Sequence, residues 1–496
     1  MGTDMAMVRR TEINKSCLIS FVMFSSVGFA ADITMTPNVE GGVTYTDNVD
    51  FTASDEHSSE IMSLTAGLEV EAKGSDGNAS LDYSMQQLYY SNDSEKNGLF
   101  HELSLEADKG LAVQNRIRGD ISASISNIAS DIVSNASNDI SRGDTIESRE
   151  ATLGLSYQSN PDGAIDMNVR IEGAVEDYED NIGDNNRYSG DLYFSQGRSV
   201  TRYFWITDYS YQKTVDKSGF NDTESSELDQ EIGLQPEIGL KIIDNWSPYL
   251  HLYYEDYTGQ GTSDSADSSS WGPGVKYYLD KNSYISIGYD FALDDENSDH
   301  WRGSVVLIPT DKTQIEFEYT QRFYGDAYDF SLTHSNRRWT NSIRYSEEVT
   351  NYDRDLFVEG NRIEDLSLSK TLTWNSVLKL RRTTFNLDLS ADKQKAINTL
   401  SDDTAVDTYS GELSITHNLS RNTTITPSFL YEYYDFQQQG NTYQTDYYRE
   451  LGIELEHDFT ESLSTSLELT YKNRSSSNLD SQYEENRIYF NVRKEL

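Results

Sequence analysis

Charged residues recur at alternate positions along this chain. Glu69 and Glu71, Arg170 and Glu172, Glu316 and Glu318, and Glu454 and Glu456 each stand two apart with an apolar residue between them. Glu432 and Glu468 are likewise flanked by apolar or aromatic neighbours, and Arg322 and Arg344 join the series. Two chemistries fit such a pattern. One is a water-filled wall whose charges are solvated and paired. The other is a selectivity lining that repels anions or lets an acidic polymer slide without sticking. No ring of one residue type decides between them.

Residues for catalysis are harder to find. The seven histidines are His57, His101, His251, His300, His334, His417 and His457, and none forms a His-Glu-x-x-His pair. There is no Gly-x-Ser-x-Gly elbow and no phosphate-cradling glycine loop. Adjacent carboxylates such as Glu347-Glu348 read as solvated. The acidic runs Asp177-Tyr178-Glu179-Asp180 and Asp294-Asp295-Glu296 could hold divalent cations that bridge to lipopolysaccharide, or serve as solvated loops. The expectation is a protein that is not an enzyme and carries no metal or cofactor.

The elements that place these charges are strands. The apolar partners of the glutamates alternate with them, as in Met62, Leu64, Ala66, Leu68 and Val70, or Ile315, Phe317 and Tyr319. Runs of about ten such residues are the signature of a transmembrane β-barrel. The pattern predicts an all-β fold, a large antiparallel barrel of about 24 strands, range 18–26. Links between strands alternate in kind. Short turns such as 74–78, 160–163, 280–282 and 309–312 follow one end, and longer acidic loops such as 49–60, 127–148, 349–362 and 393–406 follow the other. Short periplasmic turns and long extracellular loops give that layout. The stretch Leu378–Arg382 reads as an unusually long inner turn. Trp271 and Trp301 fall at strand ends beside long loops, and Trp246, Trp339 and Trp374 at ends beside short turns, as two membrane-interface girdles require.

Composition agrees. The formal charge is −43, with 34 Tyr, 7 Pro and one Cys in 496 residues. Such acidity opposes nucleic-acid binding. Arg9, Arg10 and Lys15 precede an apolar stretch that ends near Ala30, so residues 1–30 read as a secretory signal and 31–496 as one barrel domain. Cys17 falls in that signal, which leaves an exported chain without cysteine. The expected location is the outer membrane of a Gram-negative bacterium. Ile488, Phe490, Val492 and Leu496 share one face of a last strand, which resembles the signal read by the outer-membrane assembly machinery. It departs from that signal in ending on Leu496 rather than an aromatic residue and in carrying Lys494 at an apolar position. A barrel this wide exceeds what its own side chains can fill. Inward loops, an open lumen or a partner in the lumen all remain open.

Two stretches resemble a known family. They are Tyr45-Thr46-Asp47-Asn48-Val49, and the region Arg322-Phe323-Tyr324-Gly325, Phe330 to Trp339 and Tyr345-Ser346-Glu347-Glu348. Together they resemble the PEP-CTERM-system-associated outer membrane proteins. That resemblance implies an outer-membrane barrel encoded beside exopolysaccharide synthesis and export, and it implies no site residues. The expected function is a channel taking part in exopolysaccharide export, with lipid, lipopolysaccharide and a periplasmic polysaccharide-export protein as partners. The alternative is a non-conducting barrel that anchors matrix or sheathes a partner protein.

Overall fold

The computed structural model describes residues 31–496 except 55, 113–114, 131–139, 143–144, 161, 182–183, 218–227, 241–244, 259–265, 295–297, 351–366, 397–404 and 439–440. Residues 1–30, read above as a secretory signal, lie outside the described residues. The described residues run through 24 strands in one sheet. They are β1 (Ala31–Thr46), β2 (Ser59–Gly74), β3 (Gly77–Tyr90), β4 (Gly98–Ala112), β5 (Ile117–Ala129), β6 (Thr145–Gln158), β7 (Ile165–Tyr178) and β8 (Asn185–Gln196). Next come β9 (Tyr203–Asp216), β10 (Leu228–Leu240), β11 (Trp246–Thr258), β12 (Ala266–Tyr278), β13 (Tyr284–Ala292), β14 (His300–Thr310), β15 (Thr313–Arg322) and β16 (Gly325–Ser335). The last are β17 (Trp339–Thr350), β18 (Ser367–Lys379), β19 (Thr383–Ala396), β20 (Ala405–Asn418), β21 (Thr423–Gln438), β22 (Asn441–Thr460), β23 (Leu463–Ser476) and β24 (Tyr483–Glu495).

Each strand pairs antiparallel with its sequence neighbours, and β1 pairs with β24, so the sheet closes. The expected count of 24 is met, strand for strand. The seam is staggered. Asn38 to Thr46 of β1 face Glu495 to Arg487 of β24, while Ala31 to Pro37 have only β2 beside them. The Leu496 amide donates to the Pro37 carbonyl at 2.8 Å, at the edge of that overhang.

Alternation puts one face of every strand in lipid. Met62 and Leu64 of β2, Leu153 of β6, Ile287 of β13 and Leu469 of β23 are exposed on the outside. Burying them in the bilayer in place of water is what stabilises the inserted state. Ile287→Arg, near the middle of β13, is expected to cost about 2–4 kcal/mol. Urea titration of refolding into lipid vesicles measures it, and an unchanged midpoint would remove Ile287 from the bilayer.

Inner links are tight, as with 75–76, 311–312 and 461–462. In the 279–283 turn the Asn282 and Ser283 amides each donate to Asp280 at 2.8 Å, and they hold its carboxyl below the usual range. Outer links are mostly longer in residues, as at 47–58 and 130–144, but 323–324 is as tight as the inner ones. Beside it Gly325 takes φ +111°, which favours glycine.

Two expectations need correction. Leu378–Arg382 is not a long turn. β18 continues to Lys379, and the Leu380 amide donates to the Thr383 carbonyl at 2.7 Å across a three-residue link. Trp374 therefore lies well inside β18, opposite Ile343 and Leu389, rather than at a strand end. Trp271 likewise lies inside β12, opposite Leu252 in the middle of β11, rather than at a strand end. Trp246 and Trp339 begin β11 and β17 at the inner end, and Trp301 is the second residue of β14 at the outer end. Trp271 and Trp301 meet Phe291 and Tyr289 at ring separations of 5.4 and 5.0 Å.

Candidate functional site

The lumen has two unlike sectors. In the first, inward side chains of β9 to β15 pack on one another. Arg302 of β14 donates through Nε to Asp290 Oδ2 of β13 at 3.1 Å, and through Nη1 to Glu237 Oε1 of β10 at 3.3 Å. Lys276 of β12 donates to Glu237 Oε2 at 2.5 Å. His251 Nδ1 of β11 lies 3.0 Å from Asp290 Oδ2, and His300 Nε2 approaches the same oxygen at 4.0 Å. Asp290 is 0% exposed and Arg302 6%.

β10 and β14 are four strands apart. At a strand spacing of about 4.8 Å a gently curved wall would separate them by roughly 19 Å, beyond the reach of Arg and Glu together. The wall must therefore bend sharply inward here. Small residues make the bend possible. A Cβ on Gly274 would run into the Tyr249 ring, and one on Gly239 into Phe204. The Lys276 ammonium sits 5.1 to 5.4 Å from the Phe204, Tyr249 and Tyr284 rings.

Toward the outer end the fold-over continues. Arg322 of β15 donates to Glu255 of β11 at 2.9 and 2.6 Å and to the Tyr257 hydroxyl at 2.6 Å. Tyr257 shares a buried apolar cluster with Val349 of β17, against which Phe323 and Tyr324 pack. Side chains fill this sector, while the inward faces of β1 to β5 and β24 stay open.

The second sector is wet. A cavity of about 480 Å³ opens on the inward faces of β1 to β5 and β24. Hydroxyls and amides of Asn38, Thr65, Ser84, Gln86, Ser104 and Ser126 line it. Its charges are Glu40, Glu69, Asp82 and Glu102 against Arg493. Arg493 donates to Glu69 at 2.7 Å, and the Tyr489 hydroxyl donates to Glu40 at 3.1 Å. A second cavity, of about 320 Å³, lies toward the inner end, with Glu71, Lys73, Glu106, Asp108 and Asp120 on its lining.

The residues expected to line the lumen are distributed over both sectors. Glu69 and Glu71 belong to the two cavities. Arg170 forks onto Asp120 at 2.9 and 2.8 Å and also donates to Glu172 at 2.7 Å. Glu316 accepts from Gln314 at 2.8 Å, and Glu318 is the next inward residue of β15. Arg322 belongs to the packed sector, while Arg344 is exposed on the inward face of β17. Glu432 accepts from Ser410 at 3.5 Å. Glu454 and Glu456 are exposed, with Glu454 directly opposite Glu468 in the register.

Sequence reasoning missed Glu237, Lys276, Asp290 and Arg302 as a group, and it did not bring His251 and His300 to one carboxylate. The usable signal was size. Tyr249, Tyr253 and Tyr257 of β11 face a β12 surface of Ser268, Ser270, Gly272 and Gly274. Among the described residues no three His, Cys, Asp or Glu side chains converge as metal ligands.

The outer mouth is partly covered on the wet side. Ile140, from a single turn at Ile140–Arg142, packs against the cluster of Val49, Ile61, Leu88 and Tyr90. The Tyr90 hydroxyl donates to the Ser141 carbonyl at 2.8 Å, and Arg487 of β24 donates to the Ser141 hydroxyl at 3.0 Å. Residues 140–142 of the 127–148 region thus fold inward. Residues 397–404 of the 393–406 region lie outside the described residues.

A closed, even-stranded antiparallel sheet has an apolar exterior, two aromatic levels and a polar interior. The architecture is that of an outer-membrane β-barrel. A family model described as "Putative beta-barrel porin 2" matches residues 350–496, less than half of the chain. The comparison with curated proteins gave no match. Similar solved structures include the FrpB iron transporter of Neisseria meningitidis (F3-3 variant), 9% identical, TM-score 0.47, covering 93% of this chain and 81% of that one. The siderophore receptor PirA of Pseudomonas aeruginosa is 9% identical, TM-score 0.44, covering 93% and 80%. A loop L8 deletion mutant of OmpT, an outer membrane protein of Vibrio cholerae, is 8% identical, TM-score 0.35, covering 94% and 100%. At these scores the likeness adds nothing to the strand count and closure read from the chain itself.

Proposed function

We propose that this protein is an outer-membrane channel that takes part in exopolysaccharide export. The wet sector carries the reading. Its hydroxyls, amides and carboxylates can exchange hydrogen bonds with successive sugar hydroxyls at little net cost, as sliding requires. The polysaccharide itself is supported by the resemblance to PEP-CTERM-system-associated outer membrane proteins. In this reading a periplasmic polysaccharide-export protein delivers the polymer. Lipid and lipopolysaccharide meet the apolar face, and the assembly machinery recognises β24.

Planar-bilayer recording of the refolded protein is expected to show stepwise conductance. Deleting the gene is expected to strand polymer in the periplasm, and normal surface polysaccharide in the deletion strain would overturn the export role. One observation favours the alternative of a closed anchor or sheath: the cover that Ser141 and its neighbours place over the mouth. A correctly folded barrel with no conductance would support it.

A further inference from the structure

The inner rim is charged unevenly. Four consecutive inner turns, 311–312, 336–338, 380–382 and 419–422, carry Lys312, Arg337, Arg338, Arg381, Arg382 and Arg421. Asp311 is the one carboxylate among them. All six cations are exposed, and among the described residues none forms an ion pair. The turns under β2 to β9 and β12 to β13 are different. There the described link residues hold Arg116, Arg198, Arg202 and Lys281 beside Asp76, Asp162 and Asp280. Arg198 pairs with Asp162 at 3.1 Å. A chain of charge −43 has thus gathered unneutralised cations on one side of one rim.

We infer that this rim sector, beneath β14 to β21, is a docking surface for a periplasmic protein that presents an acidic face. Short turns fix the backbones of these residues, and their unpaired guanidinium groups are free to fork onto carboxylates. Leu380 and Leu419 stand exposed beside them and add the apolar contact that a protein interface uses. An anionic polymer drawn to the same rim would meet Glu412, Glu454, Glu456 and Glu468 above it and be repelled from the lumen. Inner-leaflet phosphates surround the barrel evenly and would call for cations on every turn rather than on four neighbours. The inference deepens the channel reading by giving its partner a chemistry, yet the two fail separately, because conductance does not depend on the rim.

The full chain in phosphatidylcholine nanodiscs tests it, with poly-L-glutamate as the probe at low ionic strength. The variant R337Q/R338Q/R381Q/R382Q is expected to bind about tenfold more weakly, while R198Q/K281Q stays within about twofold of the parent. Heat-modifiable migration in both variants verifies that the barrel has folded. Equal binding by the first variant overturns the inference. In cells, a photo-crosslinker placed at Asn336 or Leu380 should give an adduct with an acidic-faced periplasmic protein that poly-L-glutamate competes away. The same group at Asn282 should not. Adducts with phospholipid or polysaccharide alone, or none, overturn it.

Discussion

Arg302→Met is expected to cost the folded barrel about 3–5 kcal/mol. The guanidinium is buried and touches both Asp290 and Glu237, so its removal leaves two carboxylates short of a cation in a dry place. Lys276 still serves Glu237, but Asp290 keeps only the two imidazoles. Unfolding in urea, followed by tryptophan fluorescence in micelles, measures the loss. The double variant Asp290→Asn with Arg302→Met should recover much of it, because the stranded charge is gone. Arg198→Met provides the contrast. Its pair with Asp162 is largely exposed, at 77% and 70%, and an exposed pair contributes about 0–1 kcal/mol. Equal midpoints for Arg302→Met and Arg198→Met would show that the buried network does not hold the bend.

Reversal potentials across a potassium chloride gradient should report a channel that passes potassium several-fold more readily than chloride. The wet cavity sets four carboxylates against one guanidinium, and the field is undiluted by other fixed cations on that lining. Neutralising Glu40, Glu69 and Glu102 to glutamine should bring the ratio near one. Loss of Glu69 also frees Arg493, which pushes in the same direction. The preference should shrink as the salt rises from 0.1 M to 1 M, where screening falls from about 10 Å to about 3 Å. A parent channel that prefers chloride would exclude the acidic wall as the selecting element.

The strand plan was legible because it depends on period two and on turn residues, which a single sequence displays. Met62 to Val70 or Ile315 to Tyr319 can take only one facing once one side must meet lipid. Curvature was not legible. An inward Glu237 and an inward Glu454 look alike in the alternation, yet one is clasped by Lys276 and Arg302 and the other is exposed. The difference depends on how far the wall turns over four strands, which no local pattern encodes. Only the mismatch of tyrosines on β11 with glycines and serines on β12 hinted at it. Trp374 was misplaced for a simpler reason. Arg381-Arg382 after Lys379 resembles a turn that begins early, and hydrogen bonding to β17 and β19 carries the strand further.

The staggered seam has a mechanical meaning. Seven residues of β1 extend past the last partner on β24, so the wall is one strand pair short along that stretch. A lateral pull on the cylinder would concentrate there, at the free end of a zip, and peel upward one hydrogen-bonded pair at a time. Pro37 stands where the two edges part and offers no N–H to an intruding strand, which blunts the slit against splicing to a neighbouring barrel.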